Sequence, residues 1–262
     1  ISLRVADLTA TALQLQPDYG EAHLGLAFAD LQLHRPKPAL AQLDAAQKAL
    51  GKSHVWHLAR AESFRQEQDF THAEPEYRVA LQEVPNDLST ELAYADTLFR
   101  LRRPQQSLNA LEVAQKLAPT EPRVYALRAQ VHAKERDRAE TMRDIQLAEQ
   151  YGNNDVDILM ATGSALLSMG DRDAAMQRFS RALDAPNGDR LGVRLAIAAV
   201  FMRQGHYDDV HRQLALGFAE ARIGTAPVSP QDILEAANIF LGAHDFELAE
   251  MYFAKAKLAG AN

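Results

Sequence analysis

The feature that most limits what this chain can become is a repeat of 34 residues. Pro17, Gly51, Pro85 and Pro119 stand 34 apart, and Asn153 and Asn187 continue the series. All six are turn or helix-stop residues, so the interval marks where one structural unit ends and the next begins. Two series of small residues run between the stops. One is Ala12, Ala46, Ala80, Ala114, Ala148, Ala182, Gly217 and Ala256, spaced 34 five times, then 35, then 39. The other is Ala27, Ala61, Ala95, Ala129, Gly163, Ala198 and Ala237. Two small residues per period predict two helices whose backbones approach closely at fixed points, because a larger side chain there would hold them apart.

Large residues recur in the same register. Leu43, Tyr77, Leu111, Ile145, Phe179, Leu214 and Phe253 each precede a member of the first small series by three. Four residues before each of these comes Ala39, Ala73, Ser107, Thr141, Ala175, Val210 or Ala249. That spacing puts all three sets on one helical face, which is the predicted core. A chain of 262 residues is long for a single core, but stacked helix pairs reach that length without one. With 47% hydrophobic and 24% charged residues, the composition is that of a folded protein rather than a disordered one.

The pattern resembles the tetratricopeptide repeat family, whose signature includes L-G-x-x-Y in the first helix and A-x-x-x-F in the second. The best local matches are residues 163–182, GSALLSMGDRDAAMQRFSRA, and residues 70–85, FTHAEPEYRVALQEVP. Gly163, Gly170, Ala175, Phe179 and Ala182 fall where the family places them. The resemblance covers nearly the whole chain. It implies an all-α fold, a right-handed superhelical solenoid of antiparallel helix pairs, with about seven pairs and a leading half repeat. The family's large aromatic opening the first helix is replaced here by His23, His57, Glu91, Tyr125, Leu159, Arg194 and Ile233, so packing at that end is expected to vary. Pro75 sits inside a second helix, near its first turn, where a local adjustment rather than a break is expected.

The organisation read from these signals is an array over 1–222, in which 1–17 is the second helix of a truncated repeat. A linker at 223–230, carrying Pro227, Ser229 and Pro230, then leads to a final helix pair over 231–262 stacked on the array. A start inside a repeat, with no initiating methionine, reads as a fragment of a longer protein. Abundant Ala, Leu, Gln and Arg with little Lys gives the expectation of a bacterial source.

Charge and motifs remove several function classes. The net charge is -7, and the 21 Arg and 7 Lys are scattered, which argues against gripping phosphate backbones and so against nucleic acid. There is no cysteine for a thiolate metal site or a thiol nucleophile. No apolar run approaches the about 18 residues of a membrane span. The compartment stays open between cytoplasm and periplasm. G-x-S-x-G, Walker and dinucleotide glycine patterns are absent, so neither catalysis nor a cofactor is expected. His54 and His57 could share a helix face but have no third ligand, and Gly152, Asn153, Asn154, Asp155 and Asp157 lack the spaced acids of a calcium loop. Asp171 with Asp173 and Asp208 with Asp209 read as helix caps.

In the family the first helices line a concave face, and the register projects the residues expected there. The apolar ones are Leu24, Phe28, Leu31, Leu58, Leu92, Phe99, Met160, Leu167, Leu195, Met202, Leu234 and Leu241. Among them fall Glu62, Arg65, Asp96, Arg100, Arg123, Gln130, Lys134 and Arg203. An apolar row of this kind suits an amphipathic helix or extended peptide with apolar anchors, although the leucines equally suit packing between repeats. Phe28, Phe99 and the flanking arginines are the stronger candidates for open surface. Family co-chaperones clamp an acidic peptide with Lys and Asn. The matching positions here hold Leu24 with Phe28, Leu58 with Glu62 and Leu92 with Asp96, which disfavours that ligand. The expectation is a non-enzymatic protein-interaction scaffold. The alternative is a regulatory or adaptor domain of an enzyme or of an envelope polysaccharide-export system. RNA reading by a related helical repeat is disfavoured by charge, and self-association through open array ends is a further expectation.

Overall fold

In the computed structural model, which describes residues 9, 11–185, 190–223 and 228–260, every regular element among the described residues is a helix. The chain divides into two compact units, Ile1–Thr120 and Glu121–Asn262. The first unit carries three antiparallel pairs: α1 (Gly20–Gln32) with α2 (Pro36–Leu50), α3 (His54–Gln66) with α4 (Phe70–Glu83), and α5 (Leu88–Arg100) with α6 (Pro104–Leu117). The second carries four: α7 (Pro122–Lys134) with α8 (Arg138–Gly152), α9 (Val156–Ser168) with α10 (Arg172–Leu183), α11 (Arg190–Gln204) with α12 (Tyr207–Ile223), and α13 (Pro230–Gly242) with α14 (Phe246–Leu258). Residues 1–8 of the expected half repeat, Asn187, and positions 224–227 of the expected linker, Pro227 among them, lie outside the described residues.

The helices begin where the sequence supplies caps. Ser53, Asp69, Asp87, Asp137, Asp155, Asp171 and Asp245 each accept a backbone N–H from the first turn of the helix that follows. Ser229 and Asp232 form a reciprocal capping box. Proline, which has no N–H to leave unpaired, occupies the first turn of α2, α6, α7 and α13. Losing one such side-chain cap typically costs about 1 kcal/mol. Pro75 lies in the second turn of α4 rather than the first, and the helix runs through it from Phe70 to Glu83.

Every pair turns in the same way. His34, Gln68, Arg102, Arg136, Gly170, Gly205 and His244 occupy the left-handed region, with φ between 54° and 84°. Each donates its N–H to the carbonyl three residues back, and the next residue donates to the carbonyl five back, at 2.8–3.0 Å for the second bond. This is the Schellman motif, which satisfies the carbonyls left over at a helix end and reverses the chain with backbone bonds alone.

The small residues sit at the crossings, as the spacing predicts. Ala27, Ala61, Ala95, Ala129 and Ala198 are 0% exposed, and so are the large Tyr77, Leu43, Leu111 and Phe179 sixteen residues after four of the seven small positions. In the second unit, a Cβ on Gly163 would stand 2.5 Å from Cε1 of Phe179, so only glycine lets that ring lie against α9. In the first unit, Trp56 fills the space beside Leu43 and donates its indole N–H to the Leu43 carbonyl at 2.8 Å. Where the family's aromatic is replaced, polar links join the two helices of a pair. His23 meets Gln42 at 2.6 Å, His57 meets Glu76 at 2.6 Å, and Arg194 donates to Gln213 at 2.8 Å, each 19 residues apart.

Candidate functional site

The first unit holds a hollow of about 360 Å³ among its first helices. Phe28, Leu31 and Gln32 of α1 form one wall, Leu58, Ala59, Glu62 and Gln66 of α3 the next, and Ser89, Thr90 and Ala93 of α5 the third, with Tyr77 of α4 behind them. The 34-residue register explains the grouping. Phe28 and Glu62 occupy the same place in successive helices, as do Gln32 and Gln66, so the repeat brings one face of each helix to a common space.

One charge lies in this wall, and it is fully engaged. Arg65 donates Nε to Glu62 Oε2 at 2.8 Å and a terminal nitrogen to Oε1 at 2.6 Å. The Tyr77 hydroxyl donates to Oε2 at 3.0 Å, and Gln66 donates to Oε1 at 3.3 Å. Burial alone would raise the Glu62 carboxyl, but the hydrogen bonds and charge of Arg65, with the donors Tyr77 and Gln66, carry it below its ordinary value. Glu62 is therefore a carboxylate, and its hydrogen bonds keep Arg65 a cation. Burial, followed by the Glu62 charge, pushes the Tyr77 phenol upward, so it stays a donor. Gln66 also donates to the Leu31 carbonyl at 3.1 Å, tying α3 to α1 across one side of the hollow.

The structure sorts the residues predicted from sequence. Phe28, Leu31, Leu58 and Glu62 are brought together in the hollow, with Arg65 bound to Glu62 and Leu24 packed on the cluster that includes Leu31 and Trp56. Of the two readings open for the leucines, packing holds for Leu31 and Leu92, which are 6% and 9% exposed, Leu31 showing only its edge to the hollow. The packing reading also holds for Leu167 and Leu195, at 5% and 0%. Phe28 and Phe99 are half-buried rather than open. Asp96 accepts from Arg100 at 3.2 Å, and both lie outside the hollow lining. In the second unit, Arg123 is exposed and held by Glu121 at 2.7 Å, and Gln130 donates to the Ala161 carbonyl at 3.5 Å. Lys134 and Arg203 are exposed, whereas Met160 and Met202 pack against the apolar cluster. Sequence reasoning missed Gln32, Ala59, Gln66, Ser89, Thr90 and Ala93. The signal for the glutamines was their common register, one residue beyond Leu31 and Arg65.

The second unit has a hollow of about 820 Å³ beside α8 and α10, where Arg178 and Arg181 both bind Glu149, at 2.8 and 2.9 Å. Among the described residues no three His, Asp or Glu side chains are grouped to hold a metal ion. His54 faces the Ala80 carbonyl and His57 faces Glu76, so the two histidines are engaged apart. Asp209, expected as a cap, instead binds Arg172 through two bonds of 2.7 and 2.6 Å. No helix among the described residues is long and apolar enough to cross a membrane.

Comparison with known proteins places this geometry. Residues 64–131 match the family model described as tetratricopeptide repeat. Yeast Tom70 superposes over 100% of this chain and 55% of its own, with a TM-score of 0.64 and 15% identity. TTC0263, a thermophilic TPR protein of Thermus thermophilus, matches over 70% of this chain and 99% of its own, with a TM-score of 0.58 and 20% identity. YrrB, described as a TPR protein with an unusual peptide-binding site, matches over 68% and 92%, with a TM-score of 0.51 and 15% identity. At these identities the likeness is one of fold. No curated protein matches the sequence. The recurrent helix pairs, their common turn and the match over residues 64–131 agree on the fold: antiparallel helix pairs of the tetratricopeptide repeat type.

Proposed function

We propose that the chain is a non-enzymatic protein-interaction scaffold, and that the hollow of the first unit takes an apolar side chain from a peptide or helix of its partner. The observation that carries this reading is the lining itself. Phe28, Leu58, Ala59 and Ala93 supply apolar surface around a space of about 360 Å³, which suits one or two large side chains. The carboxylate in the wall does not argue for a cationic ligand. Its two oxygens offer about four acceptor sites, and Arg65, Tyr77 and Gln66 already use four. Selection therefore falls to shape and apolar contact, with Ser89 and Gln32 at the edge available to hydrogen-bond a backbone. The peptide-binding site of YrrB supports the reading by analogy of fold.

The test is a peptide selection against the intact chain, followed by calorimetric titration of the selected peptides. Bound sequences should share an apolar anchor. Leu58→Glu, shown by circular dichroism to keep its helices, should weaken them at least tenfold, because burying such an anchor is worth about 1.5–3 kcal/mol. Peptides that bind the wild type and Leu58→Glu equally well would place the interaction elsewhere.

A further inference from the structure

In the second unit, three basic side chains each reach from one second helix to the start of the next. Arg138 of α8 binds Asp171 at 3.1 Å, Arg172 of α10 binds Asp209 at 2.6 Å, and His211 of α12 binds Asp245 at 2.8 Å. Two of these rungs are arginine and stay charged at any pH a protein survives. The third is histidine, the residue whose charge changes near neutrality. Its ring is held at both ends by acceptors: Nε2 faces Asp245 Oδ2 at 2.8 Å, and Nδ1 faces the Tyr207 carbonyl at 2.8 Å. A neutral imidazole has one N–H and satisfies one of them, whereas the imidazolium satisfies both.

We propose that His211 is a protonation-dependent latch that ties the last helix pair, α13 and α14, to α12. The groups around it are few. Asp245 faces it from the start of α14, and Asp208 adds negative charge from its own helix. The Phe240 ring lies 5.6 Å away on α13, and the His244 ring lies 6.1 Å from Tyr207. Arg212, the next residue, is drawn to Asp209 at 3.3 Å, and Arg172 of α10 is bound to the same carboxylate. The hydrogen bond to Asp245, then that to Tyr207, outweighs burial and raises His211 above its ordinary value. Asp245 is lowered, first by the same bond. A raised histidine stabilises docking fully below its ordinary pKa and loses that contribution as pH rises through the raised value. The latch is thus closed in mild acid and released toward alkaline pH. Release loosens the Phe240–Tyr252–Phe218 ring stack, whose neighbouring centroids are 5.2 Å apart, and so bares apolar surface on α12.

Hydrogen exchange of the intact chain, corrected for intrinsic rates, tests this between about pH 5.5 and about pH 8.5. Peptides from α13 and α14 should open about threefold to fivefold more often at the alkaline end, the scale of a half-exposed pair, while those from α9 and α10 stay level. His211→Gln should abolish the dependence and open the pair at every pH. Asp245→Asn, which keeps a competent cap for α14, should do the same. An unchanged pH slope in either variant overturns the proposal. Should both variants misfold, the ring titration of His211 in the wild type by NMR decides: a midpoint at or below about 6.5 also overturns it.

Discussion

Gly163→Ala is the sharpest test of how the repeat packs. In an ordinary helix interior this substitution stabilises by about 0.5–1 kcal/mol, because glycine has more chain freedom to lose. Here the new methyl would stand 2.5, 2.9 and 3.1 Å from Cε1, Cδ1 and Cζ of Phe179. The ring cannot swing aside freely, since Phe179 is 0% exposed and lies edge-on to Phe201 with centroids 5.9 Å apart. Overpacking of this kind costs about 1–3 kcal/mol, so the net effect lies between about zero and about 2.5 kcal/mol of destabilisation, centred on about 1 kcal/mol. Urea unfolding followed by circular dichroism measures it. Phe179→Leu alone should cost about 1–2 kcal/mol through lost contact. The double variant reproduces the Ala27–Leu43 pairing found in the first repeat and should lose less than the sum of the two, with a coupling of about 1 kcal/mol or more. A stabilised Gly163→Ala, or strict additivity in the double variant, would refute the claim that this glycine is there for Phe179.

The remaining predictions concern turns and charge. Gln68→Gly and Arg102→Gly should each stabilise the chain by about 0.5–1 kcal/mol, since relief of a left-handed side chain outweighs the entropy of glycine; Gly170→Ala, at φ 84°, should cost about 1 kcal/mol, and urea midpoints check all three. Glu220 is lowered to about 2, first by its hydrogen bonds to Arg194 and against burial, so it stabilises the fold above its ordinary value of 4.5 and loses that contribution as pH falls toward 2. Glu220→Gln should flatten this acid limb and, because the carboxylate is 34% exposed, cost only about 0.5–1 kcal/mol at neutral pH, as read from thermal melts between the two values.

The helix pairs were legible because close packing is a steric demand that repeats with the chain. Ala61 and Tyr77 announce a crossing wherever they recur in register. The turns were not legible in the same way. Only Gly170 and Gly205 mark the left-handed position, while His34, Gln68, Arg102, Arg136 and His244 hide it behind side chains that give no such sign. Depth within the first helices was also hidden. Leu58 and Leu92 share a register position, yet Leu58 borders the hollow and Leu92 is covered, because exposure depends on what the next helix places beside each one. Tyr77 was read as a core residue, and its ring is one. Its hydroxyl reaching Glu62 depends on the separation of α3 and α4, which no spacing within either helix records.

Trp56 is the chain's one tryptophan, and its buried indole is hydrogen-bonded inside the first unit with Arg60 and Lys52 over its ring. Emission excited at the red edge of protein absorbance therefore comes from that unit alone, while ellipticity sums over both. A denaturation curve recorded by the two signals separates the unit that carries the hollow from the unit that carries the latch, without a label and without cutting the chain.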